Sequence, residues 1–164
     1  MANRYKVLLG ALLLGAGLGY AHAGSPPLTI TADHWTVTNK TGQAVYSGHV
    51  VITRGAFKVY GNRAVVYVRD QKVSRILVTG SPARFQWHPN KRPPARGTAQ
   101  QITYLAASNL IELSGEVEIQ RRGQTVQAPQ MRYALSSGTL NARQRGSQRV
   151  KVILPAASST ANGP

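Results

Sequence analysis

Cysteine is absent from the 164-residue chain. Its absence excludes disulfide bonds, thiolate metal sites, cysteine nucleophiles and the lipid-attachment cysteine of bacterial lipoproteins. Acidic residues are scarce as well, since five Asp and Glu stand against 20 Lys and Arg, for a net charge of +15. General acid–base catalysis therefore has few carboxylates to draw on, and the positive excess predicts an anionic partner.

Motifs that carry catalysis are missing too. No P-loop, G-x-S-x-G elbow or H-E-x-x-H motif occurs in the sequence. Three histidines follow residue 23, and none has the spacing typical of a metal site or of a base with its orienting partner: they are His34, His49 and His88. Glu112, Glu116 and Glu118 alternate as on an exposed strand face and would hold calcium only with added loop oxygens. We expect a binding protein, not an enzyme, with no catalytic residue, metal or cofactor.

The amino terminus has the pattern of a secretory signal. Arg4 and Lys6 precede an apolar run that is interrupted by glycines and ends at Ala21-His22-Ala23. The run is shorter than the roughly 20 residues that span a bilayer, which disfavours the alternative of a retained membrane anchor. We expect cleavage after Ala23 and export to the periplasm. The mature chain would carry 18 basic and 5 acidic residues, a net charge of +13.

From Leu28 onward apolar and polar residues alternate with the period of β-strands, and turn residues recur at short intervals. The pattern predicts an all-β protein of roughly a dozen short strands. Its turn signals include Gly61-Asn62, Gly80 to Pro82 and Gly115. The segment His88 to Gly97, rich in proline and cations, predicts an exposed hairpin loop, with an interdomain linker as the alternative. We expect a single domain over residues 24–155 and a disordered tail over 156–164.

One phrase occurs twice in the chain. "YSGHVVITRG" begins at Tyr46 and "LSGEVEIQRRG" at Leu113, so that Gly48 and Gly115 lie 67 residues apart. Both glycines fall on the apolar face, where a missing side chain lets a strand bend or a second sheet approach. We interpret the repeat as one strand–turn–strand unit used twice, with Arg122 as an extra residue in a bulge or a longer turn.

Apolar inner faces and a cationic exterior favour a ligand that is part hydrocarbon and part phosphate. An anionic glycolipid fits better than nucleic acid outside the cytoplasm. Candidate wall residues are aromatic, and each is also a candidate for plain core: Trp35, Tyr46, Phe57, Phe85, Trp87, Tyr104 and Tyr133. Candidate phosphate contacts at the rim, each also explained as a solvated charge, are Arg54, Lys58, Arg63, Arg69, Lys72, Arg75 and Arg84.

Ordered strings then identify a resemblance. "PLTITAD", "YSGHVVITRGAFKVYGNRAVVYVRD", "VTGSPARFQW", "ARGTAQQITYLAASNLIELSGEVEIQ" and "GSQRVKVILP" together resemble the LptA family of periplasmic lipopolysaccharide-transport proteins, also called OstA-like domains. The resemblance implies an open, twisted β-jellyroll of two antiparallel sheets that holds lipid A acyl chains between them. A cleavable signal favours this branch over LptC-like proteins, which keep a membrane helix.

The resemblance also implies site residues and partners. Leu28, Ile30, Phe85 and Tyr104 match strands that line the lipid A trough, and Arg69 lies near its opening as a possible phosphate contact. Head-to-tail self-association would use two edge strands, one with Leu28, Ile30 and Ala32, the other with Arg149, Val150, Val152 and Leu154. Further implied partners are lipopolysaccharide, an LptC-like inner-membrane protein and an LptD-like outer-membrane protein. The alternative is a structural or polyanion-binding periplasmic β-protein that carries no lipid.

Overall fold

The computed structural model describes residues 26–38, 41–90 and 93–155. The predicted signal segment, residues 1–23, and the predicted disordered tail, residues 156–164, lie outside the described residues. Ten β-strands are present among those described: β1 (Leu28–Thr31), β2 (His34–Thr38), β3 (Gln43–Arg54), β4 (Phe57–Arg69), β5 (Lys72–Trp87), β6 (Ala95–Leu105), β7 (Leu110–Arg121), β8 (Gln124–Ala134), β9 (Thr139–Arg143) and β10 (Lys151–Ile153). In this part of the chain we find no helix with the length and apolar character to cross a membrane.

All ten strands belong to one antiparallel sheet that does not close on itself. Strands β3 to β8 follow one another as neighbours. The long strand β3 pairs with both β1 and β2 at one edge, and β8 pairs with both β9 and β10 at the other. Each edge therefore consists of two short strands in line, and both edges offer unpaired backbone groups.

The sheet bends along a line that crosses every long strand. Pairing is interrupted at corresponding points, between Ser47 and Val50, Tyr60 and Arg63, Thr79 and Ala83, Thr98 and Gln101, and Ser114 and Val117. At the repeated phrase the cause is a bulge, because Gly48 and Gly115 both have φ 77° and the following residues, His49 and Glu116, also have positive φ. The bend line divides the sheet into a first half that contains β1 and β10 and a second half that contains β2 and β9.

The two halves face each other. Arg54 in the first half donates a hydrogen bond to Tyr104 in the second, and their strands β3 and β6 are not neighbours in the sheet. Likewise the rings of Trp87 on β5 and Tyr133 on β8 are 5.8 Å apart between centroids. The two layers expected from the sequence are therefore present, but as two halves of one continuously hydrogen-bonded sheet.

The core fills the space between the halves. The buried apolar residues are Val50, Ile52, Val59, Ala64, Val66, Ile76, Val78, Ala83, Phe85, Ala99, Ile102, Ile111, Leu113, Val117, Ile119, Ala128 and Met131. They occupy alternate positions within each half-strand, as the pleat requires. Several large apolar residues at the sheet edges stay exposed, among them Trp35 at 63% and Val152 at 56%.

Register explains why these edge residues are apolar. In the first half one inward row crosses the whole sheet, and its members are Ile30, Ile52, Val59, Phe85, Gly97, Ile119, Val126 and Val152. In the second half an inward row runs from Trp35 through Tyr46, Ala64, Val78, Ile102, Leu113 and Met131 to Ala142. Both rows continue to the open edges, so the apolar interior ends there without a cover.

Several sequence-based interpretations need correction. Gly61, Gly80 and Gly115 lie inside strands at the bend line, not in turns between short strands, and the strands are longer than expected. Strand β6 begins at Ala95, so the last residues of the predicted loop His88 to Gly97 are strand. Arg122 is not an extra residue, because Arg122-Gly123 and Gly55-Ala56 are equivalent two-residue turns.

Candidate functional site

An apolar cavity of about 320 Å³ lies between the two halves. Most of its lining is hydrocarbon. The apolar residues that line it are Pro26, Leu28, Ile52, Ala56, Phe57, Val59, Ile76, Val78, Trp87, Ile102, Ile111 and Leu135. Polar groups come from Arg54, Tyr104 and Asn109. The cavity is therefore suited to a hydrocarbon chain with a polar group at one place.

One cross-strand row builds the first wall. Leu28, Arg54, Phe57 and Trp87 are direct partners on β1, β3, β4 and β5, and all four line the cavity. They form the last inward row of the first half, next to the β3–β4 turn. Because the pleat sends alternate residues to one face, Arg54 shares the inward face of Val50 and Ile52.

Across the cavity, the second half supplies Ile76, Val78 and Ile102 as a buried floor. Tyr104 lies in the same cross-strand row as Ile76, between Ile76 and Ile111 on the neighbouring strands. Its ring is partly buried against the core, and its hydroxyl group reaches towards the first wall. The site is thus formed only when both halves are folded against each other.

The polar residues form a short hydrogen-bonded chain. Arg54 Nη1 donates to Tyr104 Oη over 2.8 Å, and Tyr104 Oη donates to Asn109 Oδ1 over 3.1 Å. The guanidinium carbon of Arg54 lies 5.6 Å from the centroid of the Tyr104 ring, within the range of a cation–π contact. The Arg54 cation is therefore held in the cavity lining by contacts with the opposite layer.

Phe85 lies outside the cavity and packs against a residue of its wall. It is 7% exposed and does not line the cavity, but its ring stacks on that of Phe57, which does, at 5.8 Å between centroids. Phe85 also covers its cross-strand partner Gly97, where an added Cβ would lie 2.6 Å from the ring and still closer to the Glu118 carbonyl oxygen. Gly97 thus makes room for the ring that fixes the position of Phe57.

The residues predicted for the trough have different positions. Leu28 and Tyr104 line the cavity, whereas Ile30 packs against the core beside it and Phe85 lies behind its wall. Arg69 is exposed at the end of β4 and does not line the cavity. Of the seven cations predicted at the rim, only Arg54 is part of the described lining.

Sequence reasoning did not select Arg54 from those seven, and it missed Asn109. The signal for Arg54 was available, because Arg54 continues the even-numbered apolar series of Val50 and Ile52. Asn109 has no such signal. It has φ 50° in the turn between β6 and β7, and this local turn brings it next to Tyr104, five residues away in the chain.

The edge strands differ from the prediction in extent. The amino-terminal edge is β1 followed by β2, so Ala32 lies between two edge strands and the exposed Trp35 and Val37 belong to the edge as well. At the other edge β10 is limited to Lys151–Ile153, with Arg149, Val150 and Leu154 flanking it. These flanking positions are exposed, and Leu154 is 63% exposed.

Polar side chains outside the cavity form two surface pairs. Arg132 and Glu112 are 2.8 Å apart, and His49 lies 2.7 Å from Asp33, a pair that sequence spacing did not reveal. Hydrogen bonds from Gln127 and Gln120 favour the ionised form of Glu118 and lower its pKa below the ordinary value. Within residues 26–38, 41–90 and 93–155, no three His, Asp or Glu side chains are grouped as a metal site requires.

Comparison with known proteins adds three findings. Residues 29–139 match the family described as "LptA/(LptD N-terminal domain) LPS transport protein". Lipopolysaccharide export system protein LptA of Escherichia coli (strain K12) is 22% identical over 152 residues, which cover 90% of this chain and 82% of that protein. Lipopolysaccharide export system protein LptH of Pseudomonas aeruginosa is 28% identical over 127 residues, which cover 74% of this chain and 71% of that protein.

A solved structure has the same fold. The crystal structure of LptH, described as the LptA-homologous periplasmic component of the lipopolysaccharide transport device of P. aeruginosa, superposes with a TM-score of 0.72 at 25% identity. The superposition covers 79% of this chain and 96% of that one. The all-β jellyroll expected from the sequence is therefore confirmed.

Proposed function

Because the chain belongs to the family of LptA and LptD amino-terminal-domain lipopolysaccharide transport proteins, we propose that it carries lipopolysaccharide through the periplasm by binding the lipid A moiety between its two half-sheets. The observation that supports this most directly is the apolar cavity, which has a single cation among its described lining residues. We propose that the protein binds and does not catalyse. Export with cleavage after Ala23 is part of the same proposal.

The cavity volume limits how the lipid is held. A water molecule occupies about 30 Å³ in the liquid, and a methylene group is of similar size, so 320 Å³ has room for about ten methylene groups. Each buried methylene contributes about 0.8 kcal/mol, so one chain would gain about 8 kcal/mol before the ordering costs of binding are subtracted. One acyl chain fits, and the other chains of lipid A would lie along the apolar rows that continue to the open edges.

The open edges support the proposed bridge. The inward rows end at Ile30 and Trp35 on one side and at Val152 and Ala142 on the other, and each of these residues lies on an edge strand. A second copy that adds its β1–β2 edge to the β9–β10 edge would continue both halves and the interior between them. We propose that such head-to-tail joining, ended by an LptC-like and an LptD-like partner, forms a continuous trough from the inner to the outer membrane.

Capture of lipopolysaccharide tests the carrier proposal. Mature protein, residues 24–164, should bind purified lipopolysaccharide with a stoichiometry near one per chain, measured by co-purification and quantified phosphate. Free lipid A should compete, because it contains the acyl chains and phosphates that the cavity would hold.

The same competition separates the alternative function. The net charge of +13 expected for the mature chain favours a polyanion-binding β-protein as the second candidate. Polysaccharide freed of lipid A should not displace the bound lipopolysaccharide if the lipid is what is held. Displacement by the polysaccharide and not by lipid A would contradict the carrier proposal and favour the second candidate.

Val152→Lys tests the head-to-tail proposal. Val152 ends an inward row at the open edge, so a lysine there should weaken self-association about tenfold or more, measured by sedimentation velocity over a range of concentrations. Ile153→Lys is the matched control, because Ile153 lies on the same strand and faces the opposite side. Equal association of wild type and Val152→Lys would contradict the proposed junction.

A further inference from the structure

Arg54 is the one charged residue among the described residues that line the cavity. It is partly buried, next to Leu28 and Phe57 on the neighbouring strands. None of the five Asp and Glu side chains, all of which lie in the described segments, lines the cavity or forms an ion pair with Arg54. A cation partly removed from water and without a carboxylate lacks the counter-charge that burial ordinarily requires.

The contacts of Arg54 use only part of its binding capacity. A guanidinium group has five N–H donors in a planar fork, and the described contacts are one hydrogen bond to Tyr104 Oη and a cation–π contact with the same ring. The planar fork matches the oxygen geometry of a phosphate, and such charge-assisted pairs are frequently bidentate. The remaining donors are therefore able to bind an anion at the polar end of the cavity.

Asn109 adds a second donor beside Arg54. Its side-chain oxygen accepts the hydrogen bond from Tyr104 Oη, which directs the amide oxygen to the tyrosine and leaves the NH₂ group to donate elsewhere. Asn109 lines the same cavity. Tyr104 thus orients a cation on one side and an amide donor on the other, in an otherwise apolar lining.

We propose that Arg54, with Asn109, binds a phosphate group of the carried lipid while the alkyl chain attached to that end of the molecule fills the cavity. This assignment rests on the proposed function and sharpens it, since it names the specificity-determining residue and the ligand chemistry: one alkyl chain with a phosphate head. It also replaces Arg69, the cation selected from the sequence, with a residue that is part of the cavity.

Single-chain probes test the assignment directly. Decyl phosphate matches the room for about ten methylene groups and carries one phosphate, whereas decanol has the same chain without the anion. Wild-type mature protein should bind decyl phosphate more tightly than decanol in isothermal titration calorimetry. Arg54→Gln should weaken decyl phosphate about ten- to hundredfold and leave decanol unchanged, because the lost interaction is a charge-assisted hydrogen bond.

Three variants separate binding of the anion from a purely structural link between the layers. Arg54→Lys keeps the positive charge but lacks the planar guanidinium group. It should therefore keep more of the preference for decyl phosphate over decanol than Arg54→Gln does. Tyr104→Phe removes the hydroxyl that orients Arg54 and Asn109 but keeps the cation, so it should reduce the preference less than Arg54→Gln does, whereas an equal loss would indicate a purely structural link. Arg69→Gln removes an exposed charge outside the cavity and should bind both probes like the wild type.

Capture of lipid A with and without its phosphates tests whether the bound phosphate belongs to lipid A. Arg54→Gln should weaken capture of phosphorylated lipid A and should not change capture of chemically dephosphorylated lipid A. The assignment is wrong if Arg54→Gln binds both forms and both probes like the wild type, or if Arg69→Gln is the variant that loses the preference. Wild-type capture of lipopolysaccharide would still support the proposed function in that case, whereas failure of the wild type to capture it would contradict the proposed function itself.

Discussion

Replacing Phe85 with alanine should lower the free energy of unfolding by about 3–5 kcal/mol. The ring is buried, stacks on Phe57 and covers Gly97, which has no side chain to fill the space that the ring would leave. Neighbouring strands cannot close the gap, because the backbone at Gly97 is already fixed by pairing with β5 and β7. Urea denaturation followed by circular dichroism measures the change.

Phe57→Ala is the matched control for this prediction. Phe57 is only partly buried and faces the cavity, so its removal should cost less stability than that of Phe85 and should weaken lipid capture more. If Phe85→Ala lost less than about 1 kcal/mol, Phe85 would not be the core support described above. The comparison also decides between the trough role predicted for Phe85 from the sequence and the supporting role that its position indicates.

Replacing Leu28 with aspartate should weaken capture of lipopolysaccharide about ten- to hundredfold, which corresponds to losing the 1.5–3 kcal/mol of a buried leucine contact. Leu28 is half-buried on the edge strand β1, lines the cavity and is the cross-strand partner of Arg54. A carboxylate there would repel a phosphate, would pair with the Arg54 cation and would expose a charge to the alkyl chain.

Thr29→Asp makes the same change of charge one residue further along β1, on the exposed opposite face. It should capture lipopolysaccharide like the wild type, and both variants should unfold at similar urea concentrations because neither position is fully buried. Equal weakening by the two substitutions would show that the net charge of β1, not its contact with the cavity, controls capture, and would contradict the trough model.

Much of the fold was predictable because its determinants are local. Alternation from Leu28 onward identified the strands, and the two phrases placed Gly48 and Gly115 where a strand bends or a second sheet approaches, which are positions that have φ 77° at the bend line. The family resemblance inferred from ordered strings is confirmed by the family match and by the LptH structure. Both determinants can be recognised from a few consecutive residues: a glycine at a position that requires positive φ, and the two-residue alternation of a β-strand.

In β4 and β6 the alternation of inward and outward residues does not continue across the bend line. In β4 the inward positions are Val59 before the bend and Ala64 after it, and in β6 they change from Ala99 to Ile102. The residue numbers of each pair differ by an odd amount, five and three, so the inward face changes from odd to even numbering. Turn signals such as Gly61 and Gly80 were therefore read as the ends of short strands, although each long strand continues through the bend.

The sequence by itself determined the class of fold, the charge, the absence of cysteine and, within each half-strand, which residues share a face. Only the tertiary structure decided which inward residues line the cavity. Leu28 and Tyr104 do so, Phe85 supports the wall, and Arg54 meets Tyr104 fifty residues away in the chain. The physical reason is that the cavity lies between two halves of one bent sheet, and the distance between facing residues depends on the bend and the twist of the whole sheet, which no local pattern encodes.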